Sequence, residues 1–245
     1  MLTNRQIKLI NSLHSKKGRV ENQLFLVEGE KAVLELIQSS IQIEFIVTSE
    51  HFAAKYEQSF SPIELYIEDE DLIQKLSTLV SNSFGFAVVS MSPFQFTLQY
   101  KEQITVVLDG IRDPGNLGTI IRICDWYGIK QIALSHDCTD IFNPKVIAAS
   151  MGSFSRVKFE YVDLKNLFES NSHLPVLGAL LNGDDIHQVI FPGECFLVFG
   201  NESNGIRPEN IPYITQKVTI PRYGEAESLN VGISTAIFLD NLRRG

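Results

Sequence analysis

The sequence reads as an α/β protein in two parts, and three observations carry that reading. From residue 104 onward, short apolar runs alternate with segments of helical period. That alternation builds a largely parallel sheet covered by helices. Before residue 92 the pattern is looser, with helix, strand, helix, strand and longer connections. Between the two lies a polar and aromatic stretch with no period, opened by Ser92-Pro93.

Taken in order, residues 6–13 read as a helix, residues 25–27 as a short apolar strand, and residues 30–38 as a second helix. Residues 45–47 and 86–91 read as buried strands. Between them, residues 69–79 form a helical pattern with Leu72, Leu76 and Leu79 on one side. The resulting domain assignment is 1–95, a linker at 96–103, and a second domain at 104–245. Within the second domain, residues 104–108, 131–134, 176–180, 195–199 and 217–220 read as short buried strands. There is no internal repeat and no low-complexity tract.

The chain has 245 residues, enough for a real core, and its apolar (44%) and charged (20%) shares are those of an ordinary soluble protein. No apolar run is long enough to span a bilayer, and the first residues lack the apolar core of a secretory signal. A cytoplasmic protein with no membrane partner is expected. Cys124, Cys138 and Cys195 form no C-x-x-C pair, and His14, His51, His136, His173 and His187 are scattered. No metal site and no disulfide framework are expected. The net charge of -8 argues against nucleic acid, because phosphate binding needs Lys and Arg. The charge is uneven, however. Arg5, Lys8, Lys16, Lys17 and Arg19 open the chain with no acid among them, while Glu64, Glu68, Asp69, Glu70 and Asp71 form an acidic stretch. The basic start is either a solvated helix face or a local patch that holds RNA.

Three of the strands run into loops rich in Gly, Asn, Ser and acids: D-G-I-R-D-P-G-N-L-G at 109–118, G-N-E-S-N-G at 200–205 and P-R-Y-G-E-A-E-S-L-N at 221–230. In a parallel sheet all three share the carboxyl edge, where open α/β sheets bind ligands. None contains a Walker G-K-[ST] or a G-x-G-x-x-G fingerprint, which counts against a nucleotide triphosphatase and against an ordinary dinucleotide site. The first loop opens a helix at 116–127, stopped by Gly128, with Leu117, Ile120, Ile121 and Cys124 as its buried stripe. Gly118, Arg122 and Asp125 fall on another face. Arg122 is therefore either aimed at a substrate phosphate or hydroxyl, or solvated and paired with Asp125. The third loop leads into a helix at 229–243, with Ser228 or Asn230 as cap. That helix is apolar on nearly every side, which suits a core position or a dimer interface.

Together these loops resemble the three motifs of the SpoU/TrmH family of RNA 2′-O-methyltransferases, in the SPOUT class. L-D-G-I-R-D-P-G-N-L-G-T-I-I-R-I-C (108–124) is similar to motif one, L-V-F-G-N-E-S-N-G-I (197–206) to motif two, and I-P-R-Y-G-E-A-E-S-L-N-V (220–231) to motif three. N-P-K-V-I-A-A-S-M-G-S (143–153) is also family-like. F-L-V-E-G-E (25–30) and G-F-A-V-V (85–89) resemble, more loosely, the family's ribosomal-protein-like substrate-binding domain.

The resemblance implies a trefoil-knotted α/β catalytic domain behind a small α/β RNA-binding domain, a homodimer, and S-adenosylmethionine as cofactor. Carried over by position, Asn116, Arg122, Glu202, Ser228 and Asn230 form the catalytic set, and Leu180, Gly200, Ile220 and Leu229 line the cofactor site. The implied reaction methylates a ribose 2′-hydroxyl in RNA, ribosomal RNA ahead of transfer RNA. Its chemistry is mainly alignment of the ribose oxygen with sulfur and carbon. Arg122 is the family's candidate for taking the hydroxyl proton. Because a guanidinium rarely deprotonates, stabilising the alkoxide and gripping a phosphate is the alternative. Glu202 either fixes that arginine, closes the dimer, or satisfies the turn at 200–205. Ala148 stands where relatives often carry a basic residue, and Asn82-Ser83-Phe84-Gly85 replaces a Thr-Pro-Gln-Gly turn. Both differences bear on RNA contact. A competing function, on the same fold, is a catalytically silent RNA-binding or ribosome-assembly factor.

Overall fold

Thr3 starts the first helix with a reciprocal cap: its hydroxyl accepts from the Gln6 N–H at 3.3 Å, and the Gln6 side chain accepts from the Thr3 N–H at 2.8 Å. The computed structural model describes residues 1–245 except Ser40, Glu202 and Gly245. In chain order the first elements are α1 (Asn4–Leu13), α2 (Lys16–Asn22), β1 (Leu24–Glu28), α3 (Glu30–Ile37), β2 (Ile43–Thr48), α4 (Glu50–Lys55), α5 (Glu57–Phe60), β3 (Leu65–Ile67), α6 (Glu70–Leu76) and β4 (Gly85–Ser90). There follow β5 (Ile104–Asp109), α7 (Pro114–Trp126), β6 (Gln131–Ser135), α8 (Pro144–Ser150), β7 (Lys158–Val162), α9 (Leu164–Ser170), β8 (Val176–Asp185), β9 (Cys195–Gly200), β10 (Gln216–Thr219) and α10 (Val231–Arg244).

The chain divides into two units, Met1–Gln95 with Asp140–Ser155, and Phe96–Thr139 with Arg156–Gly245. The first unit holds a four-stranded sheet in the order β1-β4-β2-β3. β4 is buried along its whole length because it is central, antiparallel to β1 and β2. One cluster packs Ile10 and Leu13 of α1 and Ile73 and Leu76 of α6 on Leu26, Val47, Phe86 and Val88.

Residues 140–155, which the sequence reading placed in the second domain, pack in the first unit. Two interactions explain this. Phe142 and Phe154 lie against the Phe25 ring at 4.7 and 5.9 Å. Asp140 pairs with Arg19 at 2.5 Å. Arg19 is only 3% exposed and also donates to the Leu13 and His14 carbonyls, so it does not belong to a basic surface patch. Arg5, Lys8, Lys16 and Lys17 are exposed, with Lys17 near Glu21 at 3.7 Å.

Gly85 opens β4 with φ +127°, and a Cβ there would lie 1.9 Å from the Val47 carbonyl oxygen. Gly85→Ala is expected to cost about 2–3 kcal/mol, read as a lowered urea midpoint.

The second unit holds a six-stranded sheet in the order β10-β8-β9-β5-β6-β7, with every neighbouring pair parallel. All strands therefore deliver their carboxyl ends to one edge. The core under it includes Val107, Ala133, Leu167, Phe168, Phe196 and Val198. Residues 96–103 lie on this unit: Leu98 is buried and its N–H donates to Glu160 at 2.9 Å, and Tyr100 packs edge-on to Phe196. Burial pushes the Tyr100 hydroxyl up to about 12. The three cysteines are free and buried, and burial raises the Cys195 thiol to about 12 and the Cys124 thiol further. Among the described residues there is no group of side chains that suits a metal ion, and no helix is long and apolar enough to cross a membrane.

Candidate active site

Motif one begins where β5 ends. Asp109 is fully buried at the strand end, and Gly110 turns the chain with φ +75°. The Gly110 N–H donates to Ser135 Oγ at 2.9 Å. Asp113 then caps α7, its carboxylate accepting from the Asn116 N–H at 2.8 Å, with Pro114 in the first turn. Leu117, Ile120, Ile121 and Cys124 are buried as the spacing indicated.

A buried ion pair joins motif one to the segment after motif two. Asp109 accepts from Arg207 Nε at 2.5 Å, from the Arg207 backbone N–H at 2.8 Å and from Asn210 Nδ2 at 2.8 Å. Asp137 sits beside this pair, 3.5 Å from Arg207 and 3.6 Å from Arg112. Desolvation alone would raise its carboxyl, but the Ser135 hydroxyl and the two guanidiniums hold it below the usual carboxylate range. Desolvation works against the Arg207 cation, yet the Asp109 carboxylate still raises its pKa. Sequence reasoning missed this strut. Its signal was an acid placed directly after an apolar strand run and before a glycine.

Motif two closes on itself. Asn201 and Gly205 exchange backbone hydrogen bonds at 3.0 and 2.8 Å, and Asn201 Nδ2 donates to the Gly110 carbonyl at 2.9 Å. A Cβ on Gly200 would lie 2.0 Å from the Gly205 carbonyl carbon, so only glycine fits under that turn. Glu202 lies outside the described residues.

Motif three ends at Asn230, which acts twice. Its Oδ1 accepts from the Gly232 N–H at 2.9 Å, capping α10, and its Nδ2 donates to Asn116 Oδ1 at 2.8 Å. Gly232 lets the two helices approach, since a Cβ there would lie 3.1 Å from Thr119 Cγ2. Asn230, rather than Ser228, is therefore the cap. α10 is buried along Val231, Thr235, Phe238, Leu239 and Leu242, while Ile233 is exposed.

Beside these loops lies a cavity of about 830 Å³. Leu180, Gly200, Ile220, Ser228 and Leu229 all line it, with Ile206 and Phe238 as further apolar walls. Asn116 and Asn230 meet each other but, like Arg122, are not among its lining residues. Arg122 is exposed on α7 and its side chain makes no hydrogen bond or ion pair to another described residue. Asp125, its alternative partner, pairs instead with Arg156 at 2.8 Å. Of the two readings left open for Arg122, the one with a local carboxylate partner falls.

The model of the SpoU rRNA methylase family matches residues 103–240. The chain belongs to that family. A second model, the MRM3-like substrate binding domain, matches residues 4–82 of this SpoU protein. It is 28% identical to the 23S rRNA (guanosine(2553)-2′-O)-methyltransferase RlmP of Bacillus subtilis, over 98% of this chain and 96% of that one. Its fold matches a Porphyromonas gingivalis structure assigned to the TrmH family of RNA methyltransferases, at 34% identity and TM-score 0.88, covering all of both chains. It also matches the AdoMet-bound rRNA methyltransferase of Sinorhizobium meliloti at 27% identity and TM-score 0.86, covering 100% of this chain and 96% of that one.

Proposed function

We propose that this SpoU protein transfers a methyl group from S-adenosylmethionine to a ribose 2′-hydroxyl of ribosomal RNA. The observation that carries the reading is the cavity at the sheet's carboxyl edge, lined by Leu180, Gly200, Ile220 and Leu229 with Ser228 among them. Its volume falls within the roughly 300–1,000 Å³ usual for small-ligand sites. Its apolar walls suit an adenine ring, and the polar residues Asn201, Ser203, Asn204 and Ser228 in its lining suit the polar ends of an amino-acid-bearing nucleoside. No Walker-type phosphate cradle lines it, which fits a cofactor without phosphates. Leu180, Gly200, Ile220 and Leu229 would hold that cofactor. When bound, it supplies a methyl group already activated by a sulfonium.

The chain's own residues then have to place the ribose and stabilise its oxygen. Asn116, fixed by Asn230, orients the sugar, and Ser228 adds a hydroxyl beside the cavity. Arg122 stabilises the developing oxyanion and grips a neighbouring phosphate, and the hydroxyl proton leaves to solvent water. Glu202 completes this set as an acid of motif two. Ribosomal RNA is favoured because the Bacillus subtilis rRNA enzyme aligns over 98% of this chain, whereas a tRNA (guanosine(18)-2′-O)-methyltransferase of Aquifex aeolicus aligns over 59%.

The same reading includes a domain division near residue 95, a trefoil knot, a homodimer and a cytoplasmic setting. Support for the knot comes from strand order: the chain leaves β9, pairs β10 on the far side of β8, and returns to pack α10 on α7. Support for the dimer comes from Trp126 (83% exposed) and Ile233 (53% exposed) on those two helices. The test is transfer of labelled methyl to separated RNA fractions from a strain lacking the gene. Label in the rRNA fraction is expected. Label confined to tRNA would change the substrate, and RNA retention without any label would favour a silent binding factor.

A further inference from the structure

We propose that Tyr223 is the stacking platform for the base of the nucleotide being methylated. This rests on the methyltransferase reading above. Tyr223 is 94% exposed, yet it lines the rim of the cavity on the same loop as Ser228. A tyrosine with both ring faces in water beside a binding cavity has a large apolar surface waiting for a flat partner. The loop also holds it in place. Arg222 Nη1 donates to the Ala226 carbonyl at 3.4 Å, folding the segment back on itself with Tyr223 and Gly224 at the turn. A Cβ on Gly224 would meet nothing within 4 Å, so the tip stands in open space.

Charge decides which part of RNA this lip receives. Arg222 is outweighed by Glu225 and Glu227, all exposed on the same loop. A net negative lip repels phosphate. The uncharged ring face is then the group that attracts RNA, and stacking is how proteins hold single-stranded bases. Exposed cations for the phosphate lie instead on motif one: Arg122, and Arg112, which is 75% exposed and 3.6 Å from Asp137. The cofactor's own ring is already provided with Leu180, Ile206 and Phe238 as apolar walls, and has no need of a residue at the rim.

The experiment compares the wild-type chain with Tyr223→Ala, Tyr223→Phe and Tyr223→Trp, using deproteinised rRNA and S-adenosylmethionine. Tyr223→Ala is expected to raise KM for rRNA roughly five- to a hundredfold. Phe and Trp should restore it, because the ring and not the hydroxyl does the work. Cofactor affinity by calorimetry and the sedimentation of the protein should stay unchanged. Unaltered KM in Tyr223→Ala would overturn the proposal. So would weakened cofactor binding, which would make Tyr223 a cofactor clamp, or a change in sedimentation, which would make it a subunit contact. If the wild-type chain transfers no methyl, the methyltransferase reading fails separately. Filter binding of the same rRNA then tests the stacking role, which survives only if Tyr223→Ala loses affinity.

Discussion

Arg122→Ala is expected to lower kcat for methyl transfer by about 10²–10³-fold while cofactor affinity stays within about twofold. The structure motivates both halves. Arg122 is exposed on α7 and its side chain bonds no other described residue, so truncating it breaks no side-chain bond among them. It is also absent from the cavity wall that would hold the cofactor. Among the described residues its guanidinium has no ion-pair partner, which leaves it for an oxyanion or a phosphate. Arg122→Lys should rescue little, because an ammonium lacks the planar fork. Single-turnover kinetics with calorimetry on the same preparations separates the two effects. A variant that loses cofactor binding along with activity would show that Arg122 is structural.

Asp109→Ala is expected to cost about 3 kcal/mol of stability and to reduce activity as well. Asp109 is fully buried and accepts from Arg207 twice and from Asn210 once. Its loss leaves the Asn210 amide, itself 4% exposed, without that acceptor, and leaves a half-buried guanidinium short of its closest carboxylate. Arg207 is 36% exposed and can recover some hydration, which keeps the cost at the lower end for a broken buried pair. Urea unfolding at neutral pH reads the change directly. An unchanged midpoint would mean that the strut carries no load.

The neighbouring Asp137 gives the strut a pH dependence. Its carboxyl is held below the unfolded aspartate value of about 3.9. A depressed folded pKa contributes stability that is complete above the unfolded value and is lost as pH falls through the folded one. Asp137→Asn should therefore narrow the gap between the urea midpoints at neutral pH and near pH 3. A gap of wild-type size would show that Asp137 is not the source of the pH dependence.

Much of the catalytic unit was legible in the sequence because parallel strands buried on both faces write themselves as apolar runs. β5, β6 and β9 stood out for that reason. β7 did not, since it lies at the sheet edge and mixes Lys158 and Glu160 with half-buried residues. The far half of β8 was also missed. Asn182 to Asp185 are polar, and they rejoin β10 only after a shift in register. The loops were legible as a group because glycine and asparagine at strand ends mark turns. The link between Asn116 and Asn230 was not, since nothing in local spacing brings residues on separate helices to 2.8 Å. Arg19 misled because burial of a charge depends on a distant partner, here Asp140. The same distance in sequence hid the attachment of residues 140–155 to the first unit, which Phe25, Phe142 and Phe154 bring about.

Alkali distinguishes ribose methylation of ribosomal RNA from base methylation. The purified chain would be incubated with S-adenosylmethionine and rRNA from a strain lacking the gene, and the RNA hydrolysed at high pH. One linkage is expected to become resistant, because a methylated 2′-oxygen can no longer attack the adjacent phosphate. Methyl incorporation with every linkage still cleaved would place the group on a base and rule out ribose methylation.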